Sequence, residues 1–274
     1  MREHDLDDSR LHGIAQGLRL KVVQMVGHGK PGHFGGSCSV ADIVAALYFD
    51  SLRHDPKNPD WENRDRFLLS KGHAALVQYA ALAQCGYFDT AELSTLKKLG
   101  SRLQGHPDML LPGIEANTGS LGQGLSIACG MAAGLRNTEA TVYCVVGDGE
   151  LAEGQIWEAA MAASAFRLQN LVCFLDFNGL QATGATADRY PIPSLKEKWE
   201  AFGWAVQCID GHDMKAIRAA IAQAKTATQP AIIIAKTVKG KGIPCAENNV
   251  AFHNGAMTEE QYQEALNALG GATA

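Results

Sequence analysis

Asp148 and Asn178 stand thirty residues apart, each just after an apolar run, in Gly147-Asp148-Gly149-Glu150 and Asp176-Phe177-Asn178-Gly179. A carboxylate and an amide oxygen are hard donors of the kind magnesium takes in an octahedron, commonly shared with phosphate oxygens. A backbone carbonyl near Leu180 would supply a third protein oxygen. Two diphosphate oxygens and a water would complete the shell of about six. The glycines flanking Asp148 let backbone amides approach phosphate closely. Gly-Asp-Gly alone is an ordinary turn after a strand. Followed by Glu-x-x-Glu-Gly and an asparagine one strand later, it is far more specific. Among the histidines, His33, His73 and His106 each follow a glycine and have small or rigid neighbours, a loop setting. His4, His12, His28, His54 and His212 read as structural or surface residues. Lys236, Lys239 and Lys241 read as a solvated loop.

The elements that must carry these groups change character along the chain. Apolar residues at helical spacing mark helices over 11–26 (ending at Gly27), 40–49, 74–85 and 125–135, with one short strand at 66–70. From residue 141, β-rich runs recur at 141–146, 171–177, 204–209 and 231–238, with helical segments at 156–166, 195–202 and 214–226 between them. Strands apolar on both faces and alternating with helices predict parallel βαβ units, with helices covering both sides of the sheet. The fold class is therefore α/β: a parallel central sheet with helices on both faces and a helical, loop-rich N-terminal part. Ligands of such sheets bind outside the carboxyl ends of the strands, where Asp148 and Asn178 fall. Thr258 with Gln261 three residues on has capping-box spacing and predicts a last helix to about residue 269.

Bulk composition sets limits. The 274 residues fit one large domain over 1–274, and 46% hydrophobic with 19% charged residues is a soluble globular balance. A net charge of −5 without like-charge blocks argues against a nucleic-acid surface. None of the seven cysteines forms Cys-x-x-Cys, and most lie in apolar stretches, so buried reduced thiols in a cytoplasmic protein are expected. The polar first eight residues lack the apolar core of a signal peptide, and no apolar run is long enough to span a bilayer.

From Gly-Asp-Gly to Asn178 the chain resembles the thiamin diphosphate signature. Four more segments narrow the resemblance to the transketolase family: Gly32-His33-Phe34-Gly35-Gly36-Ser37, Leu69-Ser70-Lys71-Gly72-His73-Ala74, Gln104-Gly105-His106-Pro107 and Thr118-Gly119-Ser120-Leu121-Gly122-Gln123-Gly124. Order and spacing match from about Leu11 to His253; Ser120 stands where the family usually has proline, which touches loop rigidity more than chemistry. The resemblance implies a thiamin diphosphate-binding fold and assigns roles. Asp148, Asn178 and the Leu180 carbonyl would hold magnesium (or calcium), and His73, Gly149, Asn178 and His253 would touch the diphosphate. Gly119, Ser120 and Leu121 would line the coenzyme's ring region. His33 and His253 would handle proton transfer at the reacting carbon, and His106 would bond the donor end of the sugar. Glu153 would join a carboxylate relay at a subunit interface.

Transketolases continue for several hundred residues past this point, with a domain that binds the aminopyrimidine and arginines that bind substrate phosphate. Only some twenty residues follow His253 here. The resemblance thus implies a C-terminal transketolase subunit carrying the pyrimidine-binding domain as a separate partner, in an α2β2 heterotetramer acting on sugar (phosphate) substrates. A related 1-deoxyxylulose-5-phosphate synthase shares the metal motif but is normally one long chain. An NAD-linked dehydrogenase would need a Gly-x-Gly-x-x-Gly at a first strand–helix turn with an acidic residue beyond, which the sequence lacks. A non-catalytic module that kept the fold would not be expected to keep the whole set of metal, diphosphate and histidine positions.

Overall fold

The computed structural model describes residues 6–271. Its helices are α1 (Asp8–Val26), α2 (Phe34–Ser39), α3 (Ala41–Ala46), α4 (Ala75–Cys85), α5 (Gln123–Gly134), α6 (Gly154–Ala165), α7 (Thr186–Arg189), α8 (Leu195–Ala201), α9 (Met214–Ala224) and α10 (Glu259–Ala268). Its strands are β1 (Arg66–Leu69), β2 (Val142–Gly147), β3 (Leu171–Phe177), β4 (Leu180–Gln181), β5 (Gly184–Ala185), β6 (Ala205–Asp210) and β7 (Ala231–Lys236). Five strands form one sheet in the order β1-β2-β3-β7-β6, every pair parallel. Parallel pairing puts the ends of β1, β2, β3 and β7 on one rim, where the candidate residues lie. A two-stranded hairpin, β4–β5, follows β3 directly and was not foreseen in the sequence.

Side chains alternate across the sheet, so each strand serves two cores. Tyr143, Val145, Val172, Phe174 and Ile233 pack under α1–α4, α9 and α10. Val142, Cys144, Val146, Cys173 and Ile232 face the other way, against α5, α6 and the buried Trp199 and Trp204. The N-terminal helices α1–α4 are therefore on one face of the sandwich, and α5 is on the other.

The helix expected over 40–49 is broken. It begins earlier, as α2, turns at Val40 and finishes as a π-helical turn over Leu47–Ser51. The early start follows from Gly35, where a Cβ would meet the Phe252 carbonyl at 2.8 Å, and from Ser39, whose hydroxyl donates to Asp176 Oδ2 at 2.7 Å. The Thr258 capping box forms with both of its reciprocal bonds. All seven cysteines are free; four are buried, but Cys208 on the edge strand is exposed, against the expectation for buried thiols. Among the described residues no helix is long and apolar enough to cross a membrane.

Candidate active site

The rim encloses a cavity of about 650 Å3 lined by Asp148, Asn178, Leu180, Gly149, His33, His73, His106, His253, Gly119, Leu121 and Glu153. Of the residues singled out in the sequence only Ser120 is not on its wall; it is exposed beside Gly119.

The oxygen donors meet across the β2 and β3 ends. Asp148 Oδ1 accepts the Gly149 amide at 2.7 Å and Oδ2 accepts the Gly179 amide at 2.5 Å, tying the aspartate to the turn that carries Asn178. Asn178 gives its Nδ2 hydrogen to Asp176 Oδ2 at 2.8 Å and takes the Leu180 amide on Oδ1 at 3.1 Å, which fixes the amide's orientation. The Leu180 carbonyl faces positive charge already, since Lys239 Nζ donates to it at 2.9 Å. Burial, and then the charge of Asp176, push the Asp148 pKa up to about 6. A divalent cation between these oxygens would offset the repulsion between the two carboxylates. Among the described residues no group of three or more His, Cys, Asp or Glu could hold a metal alone. An ion here would depend on the amide and carbonyl oxygens and on phosphate, as its hard-donor chemistry requires. The residues present fit magnesium diphosphate.

Behind the rim lie charges that the sequence reading passed over. Asp176 is fully buried and accepts from Lys71 Nζ at 2.5 Å, Ser39, Asn178 and Thr237. Burial works against its charge, but Lys71 and the hydrogen bonds from Thr237 and Ser39 together hold the carboxylate low. Glu150, also buried, accepts from Ser70 Oγ at 2.5 Å, the Gly122 amide at 2.8 Å and the Gly147 amide at 3.1 Å. One carboxylate thereby pins three loops of the cavity wall.

Lys239 corrects the solvated-loop reading. It is 2% exposed, and its pKa is brought down to about 8 by burial and then by Lys71. The segment is not free because it folds under α2: the Gly240 amide donates to the Gly35 carbonyl at 2.9 Å. Gly240 has φ 75°, and a Cβ there would meet the Ala246 carbonyl oxygen at 2.3 Å. The alternation Lys-Gly-Lys-Gly was the available signal of a tight, tied-down turn. Lys71 stood inside a motif already singled out, but its burial is a tertiary fact.

Four histidines from four segments meet opposite the rim. The His33 ring centroid lies 5.4 Å from His73, 6.1 Å from His106 and 5.5 Å from His253, and His73 lies 5.1 Å from His253. The close approach at His106 needs glycine, because a Cβ on Gly119 would meet its ring at 2.6 Å. Lys239 Nζ lies 2.8 Å from His253 Nδ1. An ammonium can only donate, so that ring carries its proton on Nε2. Burial, then Lys97, takes His33 down to about 4; burial, then Lys239, takes His253 to about 4; burial, then Lys71, takes His73 to about 2. His106 is lowered by burial and then Lys97. All four rings are neutral near pH 7, able to accept one proton and donate another.

The other histidines keep structural partners: His12 and His212 face Asp42, His28 faces Glu259, and His54 bonds Tyr87 and the Tyr48 carbonyl. His4 lies outside the described residues.

An open parallel sheet whose carboxyl-end loops gather such a rim has the architecture of a thiamin diphosphate-binding protein. Residues 11–273 match the family described as transketolase, thiamine diphosphate binding domain, and the chain belongs to that family. It is 44% identical to the 6-deoxy-6-sulfo-D-fructose transketolase subunit of Clostridium sp. (strain MSTE9), over 98% of both chains. It is 41% identical to an apulose-4-phosphate transketolase subunit of Phocaeicola vulgatus, over 90% of this chain and 89% of that one. The solved transketolase of Campylobacter jejuni superposes with a TM-score of 0.91 at 35% identity, covering 97% of this chain and 43% of its own. The chain thus spans nearly the length of the two subunit relatives and under half of the single-chain enzyme.

Proposed function

We propose that this chain is the diphosphate-binding subunit of a split, cytoplasmic transketolase. It works with thiamin diphosphate and magnesium or calcium to move a two-carbon ketol unit from a ketose (phosphate) donor to an aldose acceptor. The observation that carries the reading is the meeting of Asp148, Asn178 and the Leu180 carbonyl on one rim, opposite four neutral histidines. Bound coenzyme supplies the carbon–carbon chemistry; the protein contributes placement and proton handling. Asp148, Asn178 and Leu180 hold the metal, while His73, Gly149, Asn178 and Lys239 face the diphosphate, with Lys71 charged behind them. Gly119 and Leu121 line the ring region. His33 and His253 exchange protons with substrate hydroxyls, and His106 bonds the sugar's donor end.

The missing half is supplied by a C-terminal subunit with the pyrimidine-binding domain, as α2β2. The near-complete coverage of two relatives named as subunits supports this. Glu153, exposed at the cavity edge, faces that partner. The relatives' names carry a sulfo group and a phosphate, so ketoses with an anionic terminus are the first donors to try. The test is a ketol-transfer assay on the chain, on its partner and on the mixture, with coenzyme and magnesium. Turnover is expected in the mixture alone. Turnover by this chain unaided contradicts the split, and none with any ketose under saturating coenzyme contradicts the activity.

A further inference from the structure

The turn after β6 holds a histidine that neither the motifs nor the cavity lining includes. His212 Nδ1 lies 2.7 Å from Asp42 Oδ2, and its Nε2 lies 2.9 Å from the Val238 amide nitrogen. A backbone amide can only donate, so Nε2 is bare and Nδ1 gives its proton to Asp42. Asp42 is a fixed point. It is 1% exposed, is paired with Arg19, and Arg19 in turn donates Nε to the Cys38 carbonyl at 3.1 Å. The ring therefore joins a carboxylate rooted in the α1–α3 core to the backbone just past β7. The two segments are in close register: the Gly211 amide donates to the Lys236 carbonyl at 2.8 Å, and a Cβ on Gly211 would meet Thr237 Cγ2 at 2.5 Å. The residue after Val238 is Lys239, whose ammonium reaches the Leu180 carbonyl at 2.9 Å and His253 Nδ1 at 2.8 Å.

We infer that His212 is a positioning residue: by accepting the Val238 amide it sets where Lys239 stands, and through Lys239 the tautomer of His253 and the charge facing the diphosphate. It touches neither coenzyme nor substrate. The inference rests on the reading that Lys239 and His253 face the coenzyme. His12 makes the instructive contrast. It approaches the same Asp42 at 3.7 Å and is half exposed, and its Nε2 lies 3.4 Å from Gln16 Nε2 on its own helix.

Three variants of the full chain separate the possibilities: His212→Leu, which removes the acceptor; His212→Gln, which keeps a side-chain amide able to take the Val238 hydrogen; and His12→Gln. Two readouts are used: amide hydrogen exchange on the chain without coenzyme, and calorimetric titration of magnesium thiamin diphosphate into the chain mixed with its partner subunit. In His212→Leu the amides of 237–241 should lose protection while those of β7 keep it. Its coenzyme Kd should rise about tenfold or more, the scale seen when an outer-shell partner is lost. His212→Gln should recover most of both, and His12→Gln should move neither. Unchanged exchange and affinity in His212→Leu overturns the inference. So does a Gln variant as impaired as Leu, with losses tracking the melting temperature. A parent mixture that binds no coenzyme defeats the reading of the site instead, while exchange over 237–241 still decides whether His212 holds that segment.

Discussion

His33 and His253 lie 220 residues apart in the chain, yet their rings meet edge to face at 5.5 Å. His33 showed itself in the sequence through the glycine before it; His253 came only from family resemblance, because a lone histidine in a polar stretch carries no local sign. Asp148 and Asn178 were legible because each follows a strand, and strand ends of a parallel sheet share a rim. Lys71, Glu150, Asp176 and Lys239 were not, because a charged residue is buried only by what distant segments bring to it. Replacing His33 or His253 with alanine should lower turnover of the two-subunit enzyme by about 10²–10⁴-fold, the loss of a positioned acid or base. Melting temperature should barely move; a large fall in it with normal activity of the folded fraction would make both histidines structural. Lys239→Met should weaken coenzyme binding by roughly tenfold or more, since a charge-assisted bond contributes about 1.5–3 kcal/mol. Titration of the mixed subunits measures it, and an unchanged Kd returns Lys239 to an ordinary buried lysine.

The sheet strands read from the sequence agree with the structure to within a residue or two, because their short, β-branched apolar runs are bounded by turn residues and alternate with helical segments. Loops are where sequence reading fell short. The β4–β5 hairpin is too short for a pattern, and the early helix start at α2 follows from Gly35 and Ser39 contacts with distant chain. Glycines separate loop from helix in a testable way. A Cβ on Gly72 would meet the Thr118 carbonyl carbon at 2.4 Å and the Gly119 nitrogen at 2.7 Å, both backbone and unable to give. Gly72→Ala should push the 118–122 loop off the cavity and weaken coenzyme binding while far-ultraviolet dichroism stays the same. Gly130, exposed within α5, has nothing within 4 Å of where a Cβ would stand. Gly130→Ala should stabilise the free chain by about 0.5–1 kcal/mol, through the backbone freedom lost from the unfolded state. Coenzyme titration of the mixed subunits with dichroism tests the first statement and urea denaturation the second; unchanged binding in Gly72→Ala, or a destabilised Gly130→Ala, would contradict the distinction.

At the scale of the molecule the histidine cluster carries a cost that appears in acid. His33 and His253 titrate near 4 and His73 near 2 in the fold, against an ordinary value of about 6.5. Below pH 6.5 the unfolded chain binds protons that the folded chain refuses. The contribution is fully present above 6.5 and is lost as pH falls from there, to about 4 for His33 and His253 and on toward about 2 for His73. The urea midpoint should drop across that window, and less so in a variant with His33, His73 and His253 all changed to glutamine; parallel profiles would refute the origin. On the proposed reading the whole molecule also presents half of a coenzyme site, with Asp148, Asn178 and four histidines lining a cavity at one end of the sheet and Lys71 and Lys239 buried behind them. The most direct test is calorimetric titration of magnesium thiamin diphosphate into this chain, its partner subunit, and their mixture, with Asp148→Asn as the control. The account predicts tight binding in the mixture, weak or none in either chain alone, and loss of the mixture's binding in Asp148→Asn. Binding by Asp148→Asn as tight as the parent's would contradict it.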